Sequence, residues 1–307
     1  MKKPQHFLTG TEFSASQMLS LLQLALAIKK WRTQNNWQNR LRRKHLALLF
    51  EKPSLRTRFS FTVAMRELGG DVVESLADTR KAETPEDQGR VLSGYCDAIM
   101  LRTHADQTLI RMSSAATVPV INGLSDLHHP CQIMADLLTL TEVFGNLQGL
   151  TLTYLGDGNN ILHSLLLLAP LLGVNVHYCC PASRQPNAEI VQQAQAQLGA
   201  STGKIQSFAE PITAVSAANA VYTDVWTSMG FEQDKAEHLF ANFQVNEAMM
   251  QHAAPNAVFM HCLPMERGKE VSETLPDQPC SVIFQQSENR LHIQKALLLQ
   301  LLGDSKL

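Results

Sequence analysis

Ser54-Leu55-Arg56-Thr57-Arg58 sets two hydroxyls and two guanidiniums within five residues, directly after the apolar run Leu46–Phe50 and the connector Glu51-Lys52-Pro53. Ser54 is a good helix N-cap, and Gly69-Gly70 is a good stop for a helix running through Phe59 to Leu68. Strand, loop and helix N-terminus leave free backbone N–H groups and the positive end of the helix dipole in one place, which suits an anion. Hydroxyls and guanidiniums add the donors that phosphate oxygens need. A capped helix with a solvated basic first turn is the plainer reading, and the strand immediately before it weighs against that. The Gly-x-x-x-x-Gly-Lys pattern of a P-loop is absent.

Other polar residues fall at comparable places. His128 and His129 precede Pro130-Cys131-Gln132. Proline at the first helical position puts His129 near the cap and Gln132 in the first turn, where a histidine and a carboxamide can polarise a carbonyl. Arg102 ends the run Ala98–Leu101, at the strand edge where open α/β sheets bind ligands. Asp224 closes another run and is followed by Val225-Trp226-Thr227-Ser228-Met229-Gly230, a loop whose acid and hydroxyl suit an ammonium and a carboxylate. Cys262-Leu263-Pro264 follows the run Val258–His261; alone, such a cysteine reads as structural. Gly156-Asp157-Gly158-Asn159-Asn160 resembles half of a dinucleotide fingerprint, but position 161 is Ile where the third glycine belongs. A bare strand-to-helix turn is the better reading, and a nicotinamide oxidoreductase the weaker one.

The elements that must hold these residues are short β-type runs alternating with helical segments. The runs are Leu46–Phe50, Ala98–Arg102, Val118–Ile121, Leu150–Leu155, Val174–Tyr178, Ala220–Asp224, Val258–His261 and Ser281–Phe284. This pattern predicts an α/β protein of two domains, each a mainly parallel sheet flanked by helices. Met18, Leu21, Leu22, Ala25 and Ile28 mark the buried face of a helix before the first strand. Pro130 to Phe144, closed by Gly145, reads as a helix joining the halves, with a boundary near residue 135. Ser287 can cap a last helix running to Leu302 that returns to the first half.

Length and composition permit this. At 307 residues with 45% apolar and 18% charged residues, the chain can build two cores and is not disordered. A formal charge of −2 offers no global field for nucleic acid, so affinity for an anion must be local. No apolar run is long enough for a membrane span, and Met1-Lys2-Lys3-Pro4 is not followed by the apolar core of a signal peptide. The six cysteines form no Cys-x-x-Cys pair, so no metal is expected, and a cytoplasmic location with reduced thiols is.

Together these segments resemble the aspartate/ornithine carbamoyltransferase family over nearly the whole chain. Ser54 to Arg58 is similar to the family's carbamoyl-phosphate motif, and His129-Pro130-Cys131-Gln132 to its second signature. Asp224-x-Trp226-x-Ser228-Met229-Gly230, His261-Cys262-Leu263-Pro264, Gly156 to Asn160 and Glu288-Asn289-Arg290 resemble the ornithine branch. Leu55 stands where many relatives have Thr, and Glu83 to Arg90 matches only loosely the segment that approaches a neighbouring subunit's site in relatives.

The resemblance implies carbamoyl transfer from carbamoyl phosphate to the δ-amine of ornithine, in arginine synthesis or breakdown. It implies no cofactor, and a homotrimer or an assembly of trimers. Residues 1–135 would bind carbamoyl phosphate and residues 136–307 ornithine. Ser54, Leu55 (through its N–H), Arg56 and Thr57 would hold the phosphate, with Arg290 a further candidate. Arg102, His129 and Thr57 would polarise the carbonyl. Gln132 and the backbone carbonyls near Cys262 and Leu263 would fix the carbamoyl NH2. Asp224 and Ser228 would bind ornithine's α-ammonium, Asn160 and the Met229 backbone its carboxylate, and Cys262 would orient or deprotonate the attacking amine. Aspartate as acceptor would need cations this loop lacks; putrescine or N-acylated ornithine would make Asn160 and Asp224 dispensable. A catalytically silent binding relative is the reading from another class.

Overall fold

A computed structural model of the chain describes residues 3–34, 39–76, 83–199, 202–227 and 237–303. Contacts divide the chain into one unit of Met1–Leu138 with Asn289–Leu307 and a second of Thr139–Glu288. The division therefore falls inside two helices rather than in a loop.

The first unit opens with α1 (Ala15–Thr33), where Ser14 and Gln17 form a reciprocal capping box and Met18, Leu21, Leu22, Ala25 and Ile28 are buried as their spacing predicts. Then follow β1 (His45–Phe50), α2 (Leu55–Glu67), β2 (Asp71–Leu76), α3 (Pro85–Ser93), β3 (Ala98–Arg102), α4 (Asp106–Ala115), β4 (Val120–Leu124) and α5 (Pro130–Phe144). The four strands are parallel in the order β2-β1-β3-β4, and Phe7 bridges to Ile121 beside the last. Strand order reverses between β1 and β3, with Phe50 opposite Arg102. The chain leaves these two strands toward opposite sides, so a crevice opens at their C-terminal ends. Ile99, Leu101, Leu109, Met112 and Val120 pack one face of this sheet.

The second unit runs β5 (Thr151–Leu155), α6 (Asn160–Leu168), β6 (Asn175–Cys179), α7 (Ala188–Ala196), β7 (Ile205–Ser207), α8 (Pro211–Val215), β8 (Ala220–Thr223), α9 (Glu247–Met250) and β9 (Val258–His261), then starts α10 (Ile283–Leu302), which from Asn289 on belongs to the first unit. Its five parallel strands lie in the order β7-β6-β5-β8-β9, so order reverses between β5 and β8, where Leu155 faces Thr223. Every residue of α6 from Ile161 to Leu168 is buried, the mark of a helix wrapped in core on all sides. Truncating one of its fully buried leucines to Ala would cost about 2–5 kcal/mol. A second apolar cluster joins Val221, Phe240, Val245, Phe259 and Ile283.

The α/β organisation matches expectation, and the differences lie at its margins. The apolar runs do not predict strands β2 and β7; Glu74 interrupts the apolar run of one, and the other has three residues. Ser281–Phe284 is not a strand. Ser281 makes a single bridge to Phe259, the Val282 N–H donates to the Phe259 carbonyl at 3.0 Å, and helix begins at Ile283. The last helix thus starts at Ile283 and not after a Ser287 cap, because an apolar run this short does not declare its period. Among the described residues no helix is long and apolar enough to cross a membrane.

Candidate functional site

In the first unit the crevice between β1 and β3 gathers the anion-binding candidates. Ser54 caps α2 with extended backbone, its Oγ accepting from the Thr57 N–H at 3.2 Å. That leaves the N–H groups of Leu55 and Arg56 in the open first turn, where the helix dipole is positive. Thr57 is fully buried, and its Oγ1 accepts from Arg290 Nη2 at 2.7 Å. A hydroxyl that accepts from a guanidinium keeps its own proton for another acceptor, so Thr57 is set up as a donor.

Arg102 is 5% exposed at the end of β3. Burial, then the positive charges of Arg290 and Arg56, lower its pKa from the ordinary guanidinium range to about 10. His129 is the residue before Pro130, the first of α5, and its carbonyl accepts from the Gln132 N–H at 3.1 Å. Burial and the charges of Arg290, Arg102 and Arg56 hold its imidazole well below the ordinary histidine range, so it is neutral at pH 7. Gln132 Oε1 accepts from Arg290 Nη1 at 3.0 Å, and its Nε2 donates to Asp136 Oδ1 at 2.9 Å. Three guanidiniums crowded around a neutral histidine at a helix N-terminus raise one another's cost, and an anion relieves it.

Arg58 does not join them. Its Nη2 pairs with Glu74 Oε1 at 2.8 Å and its guanidinium lies over the Phe50 ring at 5.0 Å. Of the two guanidiniums the motif offers, only that of Arg56 acts on the cluster. Asp136, four residues along α5 from Gln132, is a site-proximal group that the sequence reading passed over.

In the second unit the β5/β8 reversal gathers a different set. Asn159 caps α6, its Oδ1 accepting from the Ile161 and Leu162 N–H groups at 3.0 and 3.3 Å. Its Nδ2 donates to Asp224 Oδ2 at 2.7 Å. Asn160, the residue singled out in the sequence, is half-buried at the first position of that helix. The turn before it is tight: a Cβ on Gly158 would come within 2.3 Å of Pro186 N, so only glycine lets the neighbouring loop approach.

Asp224 is 7% exposed just past β8. Its Oδ1 accepts from the Val225 N–H at 2.9 Å and from the Cys262 thiol at 2.9 Å. Cys262 follows β9, and Leu263 takes a left-handed φ of 59°, a strained state for a branched residue. The Leu263 N–H donates to His261 Nδ1 at 2.9 Å, which puts the imidazole proton on Nε2, facing Glu270 Oε1 at 3.1 Å. Both His261 and Glu270 are buried, and neither was named as a site residue from sequence. Asp224, His261 and Cys262 bring their ligand atoms within 4.8 Å of one another. Both His261 nitrogens are engaged by the protein, however, so the ring would have to turn to hold a metal. Ser228 and Met229 lie outside the described residues.

Comparison with known proteins bears on both sets. Residues 5–142 match the family model described as aspartate/ornithine carbamoyltransferase, carbamoyl-P binding domain, and residues 148–301 match the Asp/Orn binding domain of the same family. The chain is 45% identical to the ornithine carbamoyltransferase of Prochlorococcus marinus (strain MIT 9313), over 98% of this chain and 95% of that one. It is 42% identical to the anabolic ornithine carbamoyltransferase of Pyrococcus furiosus, over 96% of this chain and 95% of the relative. A solved ornithine carbamoyltransferase from Pyrococcus furiosus superposes with a TM-score of 0.93 at 40% identity, covering 99% of each chain.

Proposed function

The chain belongs to the aspartate/ornithine carbamoyltransferase family, and from that premise we propose that it transfers the carbamoyl group of carbamoyl phosphate to the δ-amine of L-ornithine, giving L-citrulline and phosphate. The observation that carries this reading is Arg102, buried at a strand end with the positive charges of Arg290 and Arg56 acting on it. Such a cluster needs a strongly anionic ligand.

The first unit holds carbamoyl phosphate. Ser54, Arg56, Thr57 and the Leu55 N–H bind the phosphate at the start of α2, with Arg290 behind Thr57. Arg102, Thr57 and neutral His129 donate to the carbonyl oxygen and stabilise the oxyanion that forms on attack. Gln132 accepts from the carbamoyl NH2. The second unit holds ornithine through Asp224, Ser228, Asn160 and the Met229 N–H. The δ-ammonium must lose a proton before its lone pair can attack; for a pKa near ~10.4 that costs roughly 4 kcal/mol around pH 7.5. Cys262, hydrogen-bonded to Asp224, orients or deprotonates that amine in this reading. The new C–N bond forms, the C–O bond to phosphate breaks with its electrons leaving on phosphate, and the nitrogen sheds its second proton. Positioning supplies most of the rate.

We also assign the chain to a cytoplasmic homotrimer or an assembly of trimers. Leu55 and Phe59, one turn apart on α2, are 69% and 61% exposed, and Val73 on edge strand β2 is 56% exposed. Exposed apolar residues one turn apart on a helix suit a second copy. Phe59→Asp should lower the mass measured by light scattering; an unchanged assembly would place the contact elsewhere.

The functional test mixes the protein and carbamoyl phosphate with ornithine, putrescine, N-acetylornithine or aspartate, and assays ureido product. Citrulline from ornithine alone is expected. Product from another acceptor overturns the reading of the second unit, and silence from folded protein overturns catalysis altogether.

A further inference from the structure

Gln132 is held at both ends of its carboxamide. Oε1 accepts from Arg290 Nη1 at 3.0 Å, while Nε2 donates to Asp136 Oδ1 at 2.9 Å. All three side chains are 3% exposed or less. An amide can sit in two flips that differ only in exchanging O and N. The flipped state would set an NH2 against a guanidinium and a carbonyl against a carboxylate, so the two charged partners select the same orientation. Arg290 is itself anchored by its 2.7 Å bond to Thr57 Oγ1. The outcome is a buried run of hydrogen bonds, Thr57–Arg290–Gln132–Asp136, in which a carboxylate accepts from the Gln132 amide.

We infer that Asp136 is a positioning residue for carbamoyl recognition: it fixes the Gln132 amide so that its carbonyl, and not its NH2, is presented to the carbamoyl NH2 of the substrate. This rests on the reading of Gln132 as the acceptor for that NH2. Asp136 touches no reacting atom and acts only through Gln132. A carboxylate, having acceptors alone, specifies the flip from its side. An asparagine of the same shape can turn its own amide to satisfy either flip, and the specification from that side is lost.

The test compares two probes on the intact protein by calorimetry. Inorganic phosphate reports on Ser54, Arg56 and Thr57. Phosphonoacetamide, in which a methylene replaces the bridging oxygen of carbamoyl phosphate, adds the carboxamide that Gln132 reads. Asp136→Asn should bind phosphonoacetamide about tenfold more weakly while binding phosphate within twofold of the parent, the scale of one misdirected hydrogen bond. Gln132→Leu should remove the same preference, and the double variant should be no worse than Gln132→Leu alone, since one residue acts through the other. An Asp136→Asn protein that keeps the parent's preference overturns the inference. So does equal loss of both probes, which marks a general structural role, or additive losses in the double variant. A parent protein that does not prefer phosphonoacetamide over phosphate overturns the reading of Gln132 itself, and this inference with it. If Asp136→Asn fails to fold, Asp136→Ser is judged by the same two probes.

Discussion

The two units use one topological device for opposite electrostatic ends. Each places its polar residues where a parallel sheet reverses strand order, between β1 and β3 in one unit and between β5 and β8 in the other. At the first reversal the groups are Arg56, Arg102 and Arg290 around a neutral His129. At the second, the carboxylate of Asp224 is met by a thiol, a carboxamide and a backbone N–H, all neutral donors. The reversal supplies a place with open strand ends and helix N-termini; the charge of the side chains delivered there decides what is bound. An acyl phosphate suits the first set, and an ammonium the second.

The sharpest way to break this contrast is Arg102→Met. Losing a donor to the developing oxyanion should cut kcat/KM by about 10³. The same change should leave the ligand-free protein as stable or more so. A guanidinium whose pKa is lowered to about 10 on folding binds its proton less tightly in the folded state, so its charge opposes folding in full at every pH below about 10, and that penalty fades only as pH rises toward the ordinary guanidinium range. Its size at neutral pH is on the order of 3 kcal/mol, so thermal melting without phosphate should move up or hold. A lower Tm together with full turnover would show that Arg102 serves packing.

Asp224→Asn tests the other side. It keeps the shape but removes the negative charge, and kcat/KM for ornithine should fall by about 10² with phosphate affinity unchanged, as expected when one charged hydrogen-bond partner is lost. Unimpaired use of ornithine would take the α-ammonium away from this residue. The smallest effect is expected from Arg58→Gln. Its ion pair with Glu74 has partners 37% and 32% exposed, which is worth ~0–1 kcal/mol. A change in kcat/KM beyond about threefold would mean that the guanidinium reaches the anion after all.

Strand-end positions were legible because they follow from where an apolar run stops. Arg102, Asp224 and Cys262 could be placed that way, as could Ser54 and Pro130 from capping rules, and the structure sets each at the end of a strand or the start of a helix. What could not be read depends on side-chain direction or on partners distant in sequence. Arg56 and Arg58 look equivalent in a string, yet one acts on the arginine cluster and the other turns to Glu74. Asp136 lies inside an apolar helix and shows its use only against Gln132. Asn159 and Asn160 are adjacent and alike; it is the cap, Asn159, that meets Asp224. Edge strands β2 and β7 escaped notice because they bury too little to carry a strong apolar signal.

α10 sets a timetable for making the protein. Arg290 joins Gln132 across 158 positions of sequence and Thr57 across 233, and Lys295 joins Glu67 across 228. A ribosome adding ~5–20 residues each second releases the strands β1 to β4 long before this helix exists. Roughly eight to thirty seconds separate the synthesis of Gln132 from that of Arg290 at those speeds. During that interval the nascent sheet can close, but the Thr57 hydroxyl and the Gln132 carbonyl wait for the guanidinium that links them. The phosphate pocket is completed only once the chain has been synthesised through Arg290 of α10.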